Sequence, residues 1–126
     1  IDVYMKLGYF YLYLNEIESA ENIYAAADSL FPGTKNIIMN RAIIAQRKKE
    51  FDNALRLFHS ILDDEDYKDV YTYIGSVYLE DGNPEKALEF FRKRVKILRN
   101  ENDPMYQEAL KGIRRALQMQ EEQSGE

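Results

Sequence analysis

Leu7-Gly8-Tyr9-Phe10-Tyr11 and Ile74-Gly75-Ser76-Val77-Tyr78 are the two segments of the sequence that decide its fold. Each places a small residue directly after an aliphatic residue and three residues before a tyrosine. Ala42 lies in register with both glycines, 34 residues after Gly8 and 33 residues before Gly75. A period of this length is that of one helical hairpin, so we predict that the chain is built from repeated hairpins.

The second half of each repeat carries an alanine followed four residues later by an aromatic residue. These pairs are Ala20 and Tyr24, Ala54 and Phe58, and Ala87 and Phe91. A small residue on the first helix lets the second helix approach closely, and the aromatic ring fills the gap. Asn15 and Gly82 can adopt the left-handed conformation that ends a helix, and Pro84 suits a first helical turn. We predict hairpins over residues 1–34, 35–67 and 68–101.

A further amphipathic segment follows the helix-start signal Asp103-Pro104. Its apolar residues fall on one helical face: Tyr106, Ala109, Leu110, Ile113, Ala116 and Leu117. A stack of hairpins needs a terminal element with one polar face. We therefore predict a capping helix over residues 104–120, a flexible tail over 121–126, and a single domain over 1–120.

The composition excludes several classes of site. The chain has 126 residues, no cysteine and a single histidine, which rules out disulfides, thiol nucleophiles and multi-histidine metal sites. A net charge of −5 argues against nucleic acid as the main partner, because that binding depends on neutralising phosphates. The apolar runs are too short to span a bilayer, so we expect no membrane insertion. We expect a cytoplasmic protein.

Nothing in the sequence points to catalysis. His59 lacks a nucleophile with an oriented base around it, and we interpret it as a surface or boundary histidine. The acidic run 63–66 lacks the spaced ligands of a calcium loop, so we interpret it as a linker that caps the next helix. We expect no cofactor, no metal and no enzyme activity.

Basic residues cluster near the end of the third hairpin: Arg92, Lys93, Arg94, Lys96 and Arg99. Clustered cations can mark a phosphate-binding surface. Here the helix macrodipole favours cations at a helix C-terminus, and several glutamates surround the cluster. We interpret it as a solvated helix face.

The three hairpin units resemble the tetratricopeptide repeat (TPR) family over residues 1–101. The resemblance implies an all-α fold, a right-handed superhelical solenoid of three helical-hairpin TPR units plus the C-terminal capping helix. There are departures from the family pattern. Lys49 stands where the family favours glycine, Ala45 where it favours a large residue, and Arg94 and Arg99 where it favours alanine and proline.

The resemblance also implies that the first helix of each hairpin lines a concave groove that binds a partner. By register, the groove residues are Met5, Tyr9, Leu12, Tyr13, Met39, Asn40, Ile43, Arg47 and Tyr73. Tyr4, Leu7 and Tyr11 account for the face of the first helix that packs on its own hairpin, yet its opposite face is apolar too. Such a helix is normally buried all round, so a bound partner, a second copy or an upstream segment must cover it. We favour a partner.

Three functional hypotheses follow. The leading hypothesis is a non-catalytic protein–protein interaction module that binds a segment of a partner protein in a largely apolar groove. A sharper alternative is a bacterial type III secretion chaperone, since the small repeat-only chaperones are similar to this chain in length, acidity and hydrophobic concave face. A third is a homodimer or assembly scaffold, formed through the tyrosine-rich first helix.

The family's best-known groove chemistry is a carboxylate clamp, in which lysine, asparagine and arginine hold the acidic C-terminal tails of heat-shock chaperones. This chain keeps Asn40 of that set. The remaining clamp positions fall on Met5, Tyr9, Asp69 and Tyr73, none of which is cationic. We predict that the clamp is absent.

Overall fold

The computed structural model describes residues 1–62, 67–97 and 101–125, which form α-helices joined by short turns. The first unit, Ile1–Ile61, contains α1 (Asp2–Tyr13), α2 (Ile17–Leu30), α3 (Lys35–Arg47) and α4 (Phe51–Ser60). The second unit, Leu62–Glu126, contains α5 (Val70–Glu80), α6 (Pro84–Ile97) and α7 (Pro104–Ser124). The predicted linker at 63–66 lies outside the described residues. The all-α fold class is confirmed.

The first unit packs as the sequence predicts, with a small residue against an aromatic ring. Gly8 of α1 lies so close to the fully buried Tyr24 of α2 that a Cβ atom at position 8 would overlap the ring. Ala42 and Phe58, the equivalent residues of the second hairpin, are also fully buried. Glycine is therefore required at position 8 by close approach of the two helices.

Two ion pairs connect α2 with α3 and its C-terminal turn. Arg41 Nη1 lies 2.9 Å from Asp28 Oδ2, and Lys48 Nζ lies 2.9 Å from Glu21 Oε2. The hydrogen bonds that Lys48 donates to Glu21 and Glu50 raise its pKa. Between these pairs, Ile44 of α3 joins the buried cluster of Ala20 and Tyr24. One face of α3 thus packs on α2.

In the second unit the ring of Phe91 lies between two glycines. A Cβ atom at Gly75 of α5 would sit 2.7 Å from Phe91 Cδ1, and one at Gly112 of α7 would overlap the other side of the ring. Nearby, Phe90 stacks on Tyr71 and Tyr78, with ring centroids 6.4 Å and 5.7 Å apart. Phe91 therefore ties α6 to both α5 and α7.

The turns within the hairpins share one conformation. Asn15, Lys49 and Gly82 occupy equivalent positions and have φ angles of 59°, 61° and 77°. The left-handed region is open to glycine and tolerated by asparagine, but it is strained for a long side chain. Lys49, where the family pattern favours glycine, adopts the glycine conformation.

Arg94 corrects the interpretation of the basic cluster. Its side chain is fully buried, whereas Arg92, Lys93 and Lys96 are exposed, and Arg99 lies outside the described residues. Arg94 Nε lies 2.9 Å from Asp69 Oδ1, and its Nη2 lies 2.7 Å from Asp103 Oδ2. The cluster is thus a solvated face only in part, and Arg94 belongs to the core.

The C-terminal helix is longer than predicted. Asp103 caps α7 by accepting a hydrogen bond from the Met105 amide at 2.9 Å. The helix continues to Ser124, through four residues of the segment expected to be a tail. Gln123 Nε2 donates to the Gly82 carbonyl at 3.3 Å, which gives the last turn a tertiary contact.

Candidate functional site

Much of the exposed apolar surface of the first unit belongs to α1. Tyr13 is 89% exposed and Val3 75% exposed, and Tyr9 and Phe10 are each more than half exposed. Single exposed apolar residues are ordinary on protein surfaces, whereas a helix that exposes several of them marks a contact surface.

The groove residues predicted in the first unit divide into buried and exposed members. Met5 and Leu12 are half-buried against the cluster of Ala20, Tyr24 and Ile44. Asn40 is buried, and its Nδ2 donates a hydrogen bond to Tyr9 Oη at 3.5 Å. Asn40 therefore connects α3 to α1 through its hydrogen bond to Tyr9.

We call the remaining residues the α1–α3 surface: Tyr9, Tyr13, Met39, Ile43 and Arg47. Tyr9, Tyr13 and Arg47 are exposed, and Met39 and Ile43 are half-buried. The Tyr9–Asn40 hydrogen bond holds one tyrosine ring of this surface against α3. The arrangement offers aromatic rings, aliphatic groups and one guanidinium for contact.

A second face of α1 is apolar. Val3, Leu7, Phe10 and Leu14 follow one another at spacings of four, three and four residues, and all are exposed. We call them the α1 stripe. Leu7 was expected to pack on its own hairpin but is 36% exposed, because Gly8 and Tyr11 face Tyr24 instead.

Tyr24 lies beneath α1 with its hydroxyl buried. The hydroxyl has no hydrogen-bond partner among the described residues. Burial raises the pKa of Tyr24 to about 12, and nearby Tyr9 adds to the shift. The group therefore stays protonated at neutral pH.

His59, the one histidine of the sequence, is exposed in the last turn of α4. Within the described residues, no three histidine, aspartate or glutamate side chains converge closely enough to hold a metal ion. The described helices also include none with the length and apolarity needed to cross a membrane.

Tyr73, the last predicted groove residue, lies on α5 in the second unit. There it lines a cavity of about 430 Å³ together with residues of α6 and α7. Sequence reasoning missed this cavity. The signal that would have revealed it is a pair of small residues, Thr72 and Ser76, at positions where the first two hairpins carry large side chains.

Asp69, one of the four clamp positions without a cation, is engaged inside its own unit. It accepts a hydrogen bond from the buried Arg94. The other three positions, Met5, Tyr9 and Tyr73, carry no lysine, arginine or histidine. These positions therefore offer no positive charge to a ligand carboxylate.

The hairpins with small-against-aromatic contacts and left-handed turns define an array of helical repeats. The family model described as tetratricopeptide repeat matches residues 1–34 and 69–99, which together make up just over half of the chain. The chain belongs to the tetratricopeptide repeat family.

Solved structures show the same fold. The TPR domain of Sgt2 from Aspergillus fumigatus is 17% identical, with a TM-score of 0.81 over 99% of this chain and 82% of that chain. The TPR2B domain of yeast Sti1, in a complex with Hsp70, is 16% identical, with a TM-score of 0.78 over 93% and 95% of the two chains.

The first TPR of Spaghetti, bound to an HSP90 peptide, is 20% identical, with a TM-score of 0.76 over 92% of this chain and 89% of that chain. At these identities the likeness concerns the fold. A comparison with curated protein sequences finds no match.

Proposed function

We propose that this chain is a non-catalytic protein-interaction module that binds a segment of a partner protein at the α1–α3 surface. The observation that carries the proposal is the exposure of Tyr9 and Tyr13 on α1. Tyr9 is hydrogen-bonded to Asn40 of α3, the helix that also carries half-buried Met39 and Ile43. Tyrosine is enriched among residues that dominate binding energy, since it offers a large rigid contact area with a polar end. Two structurally similar TPR domains are described in complexes with Hsp90 or Hsp70 segments, which supports a protein segment as the kind of ligand.

The test compares affinity capture from the native source by the wild type and by the double variant Tyr9→Ala, Tyr13→Ala. Leu117→Ala is the matched control, because Leu117 is similarly exposed but lies on α7. We expect one set of proteins to bind the wild type and the control and to be lost from the double variant. Truncating a tyrosine that acts as a binding hot spot costs about 2 kcal/mol or more of binding energy.

Circular dichroism of each variant confirms that the helices remain folded. Peptides tiled across the captured protein then identify the bound segment by titration. Capture of the same proteins by the double variant and the wild type would contradict a role for the α1–α3 surface.

We further expect that a peptide ending in Glu-Glu-Val-Asp does not bind with useful affinity. The clamp positions Met5, Tyr9 and Tyr73 are uncharged, and Asp69 would repel the peptide carboxylates. Isothermal titration calorimetry measures this directly, and tight binding of the peptide would contradict the absence of the clamp.

Self-association is a second candidate function, and the α1 stripe favours it. Apolar residues at alternating spacings of three and four form the contact line of paired helices. A dimer predicts a mass that rises with concentration in sedimentation, and dissociation on Phe10→Lys. A monomeric mass at every concentration would exclude it.

The chaperone alternative for type III secretion and the cytoplasmic location stay predictions.

A further inference from the structure

The cavity of the second unit is lined by residues of α5 and α7 and by Phe91 of α6. Its volume of about 430 Å³ is within the range of ligand pockets. Leu79 and Phe91 are among its apolar lining residues, and Gly112 of α7, which packs against the Phe91 ring, also lines it. The cavity is thus large enough for one aromatic or aliphatic side chain of a ligand.

The cavity exists because the third hairpin has smaller side chains than the first two hairpins at two equivalent positions. Counting from the small residue of each first helix, Ser76 is equivalent to Tyr9 and Ile43. Thr72 is likewise equivalent to Met5 and Met39. The first two hairpins fill these positions with large side chains, whereas the third leaves space for one from outside.

The charged side chains that line the cavity all come from α7, namely Glu108, Lys111 and Arg115. The formal charges of these three side chains add up to +1, whereas the whole chain has a net charge of −5. Lys111 and Arg115 are one helical turn apart, so their cationic ends can reach the same point on the cavity edge.

The present ion-pair partners of these two cations are exposed glutamates of α7. Lys111 Nζ lies 3.5 Å from Glu108 Oε1, and Arg115 Nη1 lies 3.8 Å from Glu122 Oε1. The four side chains are half exposed or more. Exposed ion pairs of this kind contribute little to stability, so a ligand carboxylate can replace the glutamate as the partner of either cation.

We infer that this cavity binds a protein segment in which a large apolar side chain lies within a few residues of an aspartate or glutamate. The apolar side chain occupies the space above Phe91, and the acidic side chain pairs with Lys111 and Arg115. These cations lie outside the clamp positions. The inference concerns a second site, and it rests on the proposed function only in that its ligand is again a protein segment.

The probe is a set of fluorescein-labelled, C-terminally amidated peptides of glycine and serine that carry one phenylalanine and one aspartate at varied separations. Fluorescence anisotropy measures their binding to the full chain. We expect one separation to bind best, and replacing its phenylalanine by serine or its aspartate by lysine to weaken binding at least about tenfold. The affinity should fall as salt rises, because added ions screen an exposed charge pair.

Three variants locate the bound peptide. Arg115→Glu is expected to weaken binding at least about tenfold, whereas its neighbour Arg114→Glu, exposed and outside the cavity lining, changes it by less than about twofold. Ser76→Ile introduces the side chain of the equivalent Ile43 and narrows the cavity, so it should also weaken binding. Circular dichroism and thermal unfolding verify that each variant is folded.

Equal losses in Arg114→Glu and Arg115→Glu would overturn the inference, as would full binding to folded Ser76→Ile or binding of no peptide in the set. A peptide that is lost from the Tyr9→Ala, Tyr13→Ala variant and kept by Ser76→Ile binds the α1–α3 surface instead. That result would overturn this inference and leave the proposed function standing. Capture of the same proteins by the wild type and the Tyr9→Ala, Tyr13→Ala variant, with peptide binding lost only from Arg115→Glu and Ser76→Ile, would contradict the proposed function and leave this inference standing.

Discussion

The hydroxyl of Tyr24 is buried beside Gly8 without a hydrogen-bond partner among the described residues. A buried polar group in this state costs roughly 1 to 3 kcal/mol relative to an apolar group of the same shape. The equivalent positions of the other hairpins carry Phe58 and Phe91. The packing of the first hairpin therefore requires an aromatic ring at position 24 and does not require the hydroxyl of Tyr24.

Tyr24→Phe is expected to raise the free energy of unfolding by about 1 kcal/mol, since it removes the unsatisfied hydroxyl and keeps the ring. Urea unfolding followed by circular dichroism measures the change. Tyr11→Phe is the control, because Tyr11 packs on the same cluster and is only half-buried. A loss of stability in Tyr24→Phe would show that the hydroxyl has a stabilising role.

Tyr24 also makes the free energy of unfolding depend on pH in the alkaline range. The pKa of Tyr24 is raised from 10.0 to about 12, so between these values the folded chain keeps a proton that the unfolded chain releases. The free energy of unfolding therefore falls as the pH rises through this window. We expect the advantage of Tyr24→Phe over the wild type to grow above pH 10, measured by urea unfolding in buffers from neutral to alkaline pH. A constant advantage would contradict the raised pKa.

Lys49 adopts a left-handed backbone that glycine would adopt without strain. A left-handed residue with a Cβ atom costs roughly 1 to 2 kcal/mol, while glycine has a larger entropy to lose on folding. We expect Lys49→Gly to stabilise the chain by about 1 kcal/mol in thermal or urea unfolding. Asn15→Gly should gain less, because asparagine tolerates this conformation. An equal gain at both positions would show that strain is not the cause.

At the scale of the helices, Arg94 determines how α5, α6 and α7 are joined. One fully buried guanidinium binds Asp69 before α5 and Asp103 at the cap of α7. Removing one partner of a buried ion pair leaves the other charges uncompensated. Arg94 therefore adds a buried polar link between the third hairpin and the capping helix to the apolar packing around Phe91.

Arg94→Ala is expected to cost about 3 kcal/mol, since it leaves two neighbouring carboxylates and an unfilled space. Arg94→Met keeps much of the buried volume and should cost less. Arg92→Ala, two residues away and exposed, should change stability by less than about 0.5 kcal/mol. Chemical unfolding compares the three variants, and equal effects of Arg94→Ala and Arg92→Ala would contradict a buried role.

The helices and their pairing were predictable because each hairpin repeats the same local pattern of small and aromatic residues. The burial of Arg94 was not predictable, because its sequence neighbours are charged and its two carboxylate partners are 25 and 9 residues away. The end of α7 was missed for a similar reason. Residues 121–124 carry no apolar side chain, and the contact that holds Gln123 comes from Gly82.

The candidate site was predictable in outline. The sequence showed that α1 is apolar on two faces, and the structure exposes most of both. It did not show that Asn40 is buried under Tyr9, nor that Leu7 is exposed, because these depend on the exact rotation of α1 over α2 and α3. The cavity beside Tyr73 is the space that the small side chains of Thr72 and Ser76 leave unfilled. A search of the sequence for apolar patterns does not detect such a space.

For the whole molecule, stability should be distributed unevenly along the chain. In repeat proteins each hairpin interacts mainly with its neighbours, so a substitution mainly lowers the stability of its own and the adjacent helices. We expect Arg94→Ala to lower hydrogen-exchange protection of helical amides within 67–97 and 101–125 more than within 1–62, as measured by mass spectrometry. An equal loss over all helices would show that the chain unfolds as one cooperative unit.

The α1 stripe has a practical consequence for protein engineering. Val3 and Phe10 are equivalent to Ile37 and Ile44, the fully buried residues on the face with which α3 packs on α2. A designed hairpin whose second helix copies residues 17–30 would present the surface that this register accepts. Fused before Ile1, it is expected to lengthen the array by one repeat and to bury the α1 stripe at an internal junction between hairpins.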